Sequence, residues 1–363
     1  MAALNFALWD PMDVPAVDSY ADFYDRHVET AQRIEQLGFH SYFIIEHQNV
    51  PTRRITAPTV FLTAVARATS TLRIGAMMWQ LPFHHPIRLA QDVATLDHLS
   101  RGRVEFGTGI GVHEHEFIRW GVDYYQRAAM SEEALKIIKM AWSQDEVTFE
   151  GKYHTFNEAL PHPRPYQQPH PPIWAAVHSD AAVEFAARNN YNVAQNIDTD
   201  EVVARKFDLF RTVWKECHHP GPMPRVFLQR SMYVAETDEK ALEVARQYSG
   251  ASPGAGTRFA GAIAQTRVGW GSHARGMGRD SERPDDAARA KTMEQSRIDF
   301  DFSVENGLVL VGSPDTVTRK LREGQQRIGY DLFVISPMGR MPAEVHDRSM
   351  ELFSREVLPN FAH

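Results

Sequence analysis

The chain has 363 residues, 43% of them hydrophobic, and a formal net charge of −7: enough apolar mass for a sizeable core, and no basic footprint for nucleic acid or an anionic membrane surface. A single cysteine, Cys217, excludes an internal disulfide and fits a reducing cytoplasm. No apolar run reaches the roughly 18 residues of a membrane helix, and the opening MAALNFALWDPMD lacks a basic segment, so it reads as a first strand rather than an export signal.

In chain order, residues 4–9 read as a strand and 19–37 as a helix stopped by Gly38. Residues 40–46 are a short β-rich run, 58–68 a helix and 72–78 a third strand. A helix over 86–99 opens on Pro86, where a missing N–H costs nothing, and residues 103–108 form a fourth strand before a helix over 128–142. Residues 147–156 alternate around Glu150-Gly151 as a small hairpin, and 161–172 is Pro-rich and extended. Strands follow at 173–177, 191–196, 225–235 and 331–336, with helices from Asp180, over 199–217, from Asp238 and over 343–358.

Strands alternating with helices make parallel βα units, and eight of them predict an α/β fold of the (β/α)₈ TIM-barrel type, which takes about 250 residues before insertions. The chain is read as one domain, 1–363, with the surplus in an insertion at 249–297 ahead of the last strand. That segment begins Ser-Gly-Ala-Ser-Pro-Gly-Ala-Gly and reads as a mobile lid over the barrel mouth.

Chemistry in such barrels gathers at the C-terminal ends of the strands. There the sequence offers Glu46-His47-Gln48, Gln80, Gly107 to Gly111, His178-Ser179, Asn196 and Ser336. His47 can move a proton near neutral pH, or simply bond to a neighbouring backbone group. Gly107-Thr108-Gly109-Ile110-Gly111 can cradle a phosphate, let a ring approach the backbone, or make a tight turn; its spacing is not that of a dinucleotide fingerprint. Ser179 caps a helix or binds a phosphate there, and Arg127 is a lone cation, solvated or used. Trp79, Phe83, Trp120, Tyr124 and Tyr125 either pack or wall a flat ring. The pairs His84-His85, His113/His115 and His218-His219 lack metal-ligand spacing, and no metal site is expected. A G-x-S-x-G elbow is absent.

Taken together and in order, these residues resemble the bacterial luciferase-like family of flavin-dependent monooxygenases. The resemblance runs nearly end to end. It is carried by Glu46-His47, Leu81-Pro82, His85-Pro86-Ile87-Arg88, Asp92, Leu96-Asp97, Ser100-x-Gly102-Arg103, Phe106-Gly107, Glu116-Phe117 with Gly121, Pro172-Ile173-Trp174, Ser179 and Val311-Gly312-Ser313-Pro314. It implies a barrel that takes reduced FMN from a separate flavin reductase and, through a peroxyflavin, oxidises a small apolar aldehyde, ketone or similar molecule. It also implies His47 as the catalytic residue and a cofactor set of Glu46, Met77, Met78, Gly107, Gly109, Arg127, His178 and Ser179. Gln48, Trp79 and Phe83 fall in the substrate pocket. The segment Gly75-Ala76-Met77-Met78 matches the place where the family often has a non-proline cis peptide. A cytoplasmic homodimer or heterodimer is implied too.

Two positions depart from the luciferase pattern. Gln48 stands where luciferase catalytic subunits often have a second His, and Ile110 where they have an Arg. The first points to a non-luminescent enzyme; the second leaves one phosphate contact missing or supplied elsewhere. A deazaflavin-dependent oxidoreductase on the same fold and a non-catalytic partner subunit are the alternative readings.

Overall fold

The computed structural model describes residues 3–12, 19–48, 56–249, 284–339 and 341–361. They form two compact units, one of Met1–Asp10, Gln36–His40 and Val177–His363, the other of Pro11–Glu35 and Ser41–Ala176. The strands in chain order are β1 (Asn5–Asp10), β2 (Ser41–Ile44), β3 (Arg73–Ala76), β4 (Trp79–Gln80), β5 (Phe106–Gly109), β6 (Val147–Glu150), β7 (Thr155–Ala159), β8 (Ile173–Ala176), β9 (Asn192–Gln195), β10 (Val226–Val234), β11 (Val309–Gly312) and β12 (Leu332–Ser336).

In the unit that holds Ser41–Ala176, β2 and β3 run parallel, from Ser41 opposite Arg73 to Ile44 opposite Ala76. β5 lies between β4 and β8, parallel to both, and a bridge from Ile74 to Val104 ties β3 to the start of β5. β2 is buried at all four positions, as expected of a parallel strand covered on both faces. The helix Pro58–Ala68 opens on proline and buries Phe61, Leu62 and Val65; Pro86–Ser100 buries Leu89, Val93 and Leu96, the helical spacing of a single apolar stripe. The predicted hairpin is β6 and β7, antiparallel.

Where these strands begin, side chains grip the main chain. Arg103 donates to the carbonyls of Ala66, Thr69, Leu72 and Ser100 and to the Thr69 hydroxyl. Glu35 accepts the N–H groups of Ser70, Thr71 and Leu72, and these bonds hold its carboxyl below the usual range despite partial burial, which acts in the other direction. Asp97 takes both the backbone and the side-chain N–H of Gln167. Asp97 and Arg103, two of the residues that carried the family resemblance, therefore serve the scaffold.

In the other unit β12 lies between β1 and β10, and β9 pairs with the first half of β10, all parallel. β11 joins the far half of β10, from Ser231 opposite Val309 to Val234 opposite Gly312. Phe6 on β1 packs edge-on against Phe353 and Phe361, with ring centroids 5.0 and 5.4 Å apart. The helix Asp238–Tyr248 buries Ala241 and Ala245 against Tyr233, Val311 and Phe300.

The structure adds what the sequence reading left unassigned between 298 and 330. A short helix, Phe300–Glu305, precedes β11, and a long one, Pro314–Ile328, precedes β12. The long helix carries plain boundary signals: Ser313 accepts the N–H of Thr316, Pro314 opens the first turn, and Gly329 closes it at φ 76°. Of the predicted lid at 249–297, residues 250–283 lie outside the described residues, and Pro284–Ile298 is a helix.

Candidate active site

β2 delivers three polar side chains that scarcely touch water: Glu46, His47 and Gln48 are 1%, 7% and 2% exposed. A buried carboxylate must be bonded, and Glu46 is. Its Oε1 accepts from Gln48 Nε2 at 2.8 Å, its Oε2 accepts the backbone N–H of Gln80 at 2.7 Å, and its carbonyl accepts Gln80 Nε2 at 2.8 Å. His84 Nε2 stands 2.9 and 3.0 Å from the two carboxylate oxygens. Burial alone would lower the His84 imidazole; the charge and hydrogen bond of Glu46 outweigh it and hold the pKa up.

That shift has a sign in stability. A histidine raised above its usual 6.5 contributes fully below that pH, and the contribution is lost as pH rises through the raised value. The melting midpoint of the wild type should therefore fall relative to a His84→Gln variant as pH rises above the usual 6.5. Parallel curves above that pH, by calorimetry, would refute the Glu46–His84 coupling.

His47 meets a different carboxylate. Its Nδ1 lies 2.8 Å from Oε1 of Glu116, and the same oxygen accepts the backbone N–H of Gln48 at 3.1 Å. Glu116 belongs to the short helix Glu114–Trp120 and is 0% exposed. His113, one turn back, packs its ring 5.1 Å from that of His47, and His115 stacks on His113 at 5.5 Å. Burial lowers the His115 imidazole; Glu116 pulls the other way, and Arg119 adds to the lowering.

β3 breaks at Met77–Met78, whose peptide bond is cis, and resumes as β4. The glycines of β5 are the answering surface. A methyl on Gly107 would run into the Ala76 carbonyl oxygen and stand 2.7 Å from Met77 Sδ; one on Gly109 would stand 2.9 Å from Met78 Cβ. Both glycines are in a strand, not a turn, and exist to let β5 approach the Met77–Met78 segment. Gly111, at φ 75°, makes the turn that follows. A Gly107→Ala variant should lose about 1–3 kcal/mol of stability or more, because a backbone oxygen cannot step aside. An unchanged denaturant midpoint would refute the close-approach reading.

Phe83 is half-buried, with its ring 4.6 Å from Phe117 and 5.8 Å from Trp120. Trp79 is core: it is 0% exposed, stacks on Phe106 at 5.1 Å and donates its N–H to Thr59 Oγ1. Its indole offers no free face, so of the predicted aromatic wall Phe83, the half-exposed Trp120 and the exposed Tyr125 remain accessible. Arg127 opens the helix Arg127–Ser143, lays its guanidinium 3.7 Å over the Tyr124 ring and donates to the Tyr124 carbonyl.

In the other unit, Ser179 caps the helix Asp180–Arg188 by accepting the Ala182 N–H at 3.3 Å. Burial, followed by the cations Arg289 and Lys206, pushes the neighbouring His178 down to about 3, so it is neutral. Lys206 holds that corner: its Nζ donates to the His178 carbonyl at 2.6 Å and to Asp198 at 2.7 Å.

The remaining histidine pairs are divided among unrelated tasks. His85 caps the helix Pro86–Ser100, His218 bonds to the Glu216 carbonyl and His219 to that of Ala187. Among the described residues no group of three or more His, Cys, Asp or Glu side chains could hold a metal. Nor is any helix among them long and apolar enough to cross a membrane.

Four buried polar atoms around His47 and on Arg127 have no hydrogen-bond partner: Glu116 Oε2, Gln80 Oε1, His115 Nδ1 and Arg127 Nε. Buried polar atoms left open are rare and call for a water, an ion or a ligand to complete the bonding. A flat heteroaromatic with both carbonyl and N–H edges and an anionic tail fits that set. The sequence reading missed Glu116 and His84 as site residues. Glu116 lies 69 positions from the ring it binds, and no local spacing could reveal the pairing.

The fold class is that of the (β/α)₈ barrels. A monooxygenase from Streptomyces bottropensis superposes with a TM-score of 0.79 at 25% identity, covering 99% of this chain and 100% of that one. The oxygenating constituent of 3,6-diketocamphane monooxygenase from Pseudomonas putida, solved with FMN, gives 0.78 at 22% identity over 99% of both chains. An F420-dependent secondary alcohol dehydrogenase shares the fold at 0.72 and 16% identity, covering 100% of both. The luciferase-like monooxygenase family model matches residues 4–332, and the chain belongs to that family; it is a flavin-dependent monooxygenase, an oxidoreductase. Among curated relatives, the oxygenase component of a flavin-dependent trigonelline monooxygenase from Acinetobacter baylyi is 28% identical over 249 residues, 67% of this chain and 69% of that protein. An uncharacterised protein of Sinorhizobium fredii is 33% identical over 209 residues, 58% of this chain, and the match spans only 60% of its length.

Proposed function

We propose that the chain is the oxygenase component of a two-component system, which takes reduced FMN from a separate reductase and uses O₂ to oxidise a small apolar aldehyde, ketone or similar molecule. The observation that carries this reading is the buried His47–Glu116 pair, set beside open polar atoms and half-buried aromatic rings. Reduced flavin, when bound, supplies the electrons that activate O₂.

The chain's own residues do the rest. Within their unit, Glu46, Met77, Met78, Gly107 and Gly109 offer a rigid bed for the ring and Arg127 a phosphate contact; in the other unit, His178 and Ser179 are phosphate-contact candidates by the family resemblance alone. Gln48 spans Glu46 and the Thr56 carbonyl, which fixes the entrance to His47. Phe83 gives the substrate an apolar face, and His47 moves the proton that the oxidation requires. A subunit that only stabilised another chain would have no use for a buried histidine–carboxylate pair with open bonding capacity. The trigonelline relative, an oxygenase component by name, favours a reductase as partner. A cytoplasmic dimer is part of the same reading.

The test is incorporation of label from ¹⁸O₂ into product when the purified chain, loaded with chemically reduced FMN, meets a panel of aldehydes and cyclic ketones. One labelled oxygen per product supports the proposal. Oxidation of an alcohol without label, and only with oxidised F420, would replace it with the deazaflavin reading.

A further inference from the structure

The site contains two histidine–carboxylate pairs, and they are built differently. Glu46 is saturated: both oxygens are bonded, and His84 straddles them. Glu116 is not. Its Oε1 accepts from the ring and from the backbone beside it, at 2.8 and 3.1 Å, while Oε2 is buried with no partner. A carboxylate kept only for structure would be expected to use both oxygens, since an open buried one is a penalty. The helix that carries Glu116 is wedged in place by Phe117, which packs on Phe83 and Tyr124. Gln48 N–H and His47 Nδ1 share one acceptor, so the backbone and ring of the loop after β2 are clamped together.

We propose that Glu116 is a positioning residue that fixes His47 in the Nδ1–H tautomer, leaving Nε2 as the bare, proton-accepting nitrogen. An ionised carboxylate can only accept, so Nδ1 must carry a hydrogen. Nε2 then accepts a proton during the reaction and gives it up to the water that forms as reduced flavin, O₂ and substrate become oxidised flavin, oxygenated product and water, with no net change in the enzyme. An imidazole free in water favours the opposite tautomer, so the clamp sets which nitrogen does the work. The inference rests on the proposed catalytic role of His47.

The experiment is a long-range ¹⁵N–¹H correlation spectrum of the flavin-free chain with ¹⁵N-labelled histidine, with the His47 signal assigned by its absence in His47→Asn. The wild type is expected to show the Nδ1–H pattern. Glu116→Leu should shift His47 toward the Nε2–H form and lower kcat for oxidation by roughly 10–100-fold, and Glu116→Asp should recover part of both. An Nε2–H pattern in the wild type overturns the proposal, and if Glu116→Leu does not fold, the wild-type spectrum alone decides it. A tautomer that switches in Glu116→Leu without loss of kcat overturns the role. Failure of the proposed function is a separate outcome, read as no oxidation by the wild type with any flavin.

Discussion

A His47→Asn variant is expected to oxidise substrate about 10²–10⁴-fold more slowly than the wild type, the usual worth of a positioned proton-transfer group. Asn is the informative replacement because its amide N–H can still donate to Glu116 near the place of Nδ1. The buried carboxylate, 0% exposed, keeps a partner and the loop after β2 keeps its clamp. Loss of turnover at an unchanged melting midpoint, with reduced flavin still bound, isolates proton transfer from folding. Full activity in this variant would remove His47 from the mechanism, and with it the central support for the proposed function.

The second large effect is on stability. Lys206 and Asp198 are 2% and 4% exposed and form an ion pair at 2.7 Å. Asp198 also accepts from Gln195 Nε2 at 2.6 Å, and its carbonyl accepts from Arg230 at 2.8 Å. Lys206→Met removes the cation and leaves a buried carboxylate with too little compensation, at a cost of about 3–5 kcal/mol. For a domain whose whole stability is about 5–15 kcal/mol, that is a severe loss. Urea denaturation measures it, and adding Asp198→Leu should recover part of the deficit, since removing both charges is cheaper than removing one. A Lys206→Met midpoint near that of the wild type would mean that water reaches Asp198. Because Lys206 also holds the His178 carbonyl, the same variant should loosen the cap at Ser179.

Much of this was legible from the chain. Apolar runs ending in polar or glycine residues located β2, β3 and β5, and the helix at Pro58–Ala68 fell where its proline and apolar spacing put it. What escaped has physical reasons. β11 is only four residues long and borrows its pairing from β10, so its stability is tertiary. The helix Pro314–Ile328 is so polar that its few buried positions, Val317, Leu321 and Ile328, carry the whole signal. Trp79 read as a pocket wall because it follows the third predicted strand, near the expected barrel mouth, yet its ring turns inward onto Phe106. His84 stood out only as half of a histidine pair without metal-ligand spacing, because its true partner, Glu46, is 38 positions away.

The bonds of Arg103 have a bearing on how such a chain can change over evolutionary time. Four of its five acceptors are backbone carbonyls, atoms every residue type possesses. The neighbours of Arg103 can therefore drift freely while the arginine stays, and the foundation of the strands survives. At the opposite ends some bonds run from one side chain to another, as between Glu46 and His84 and between His47 and Glu116. There a lone replacement strands its counterpart, so new specificities around His47 must arise through matched double changes or at positions such as Phe83 that bond to nothing.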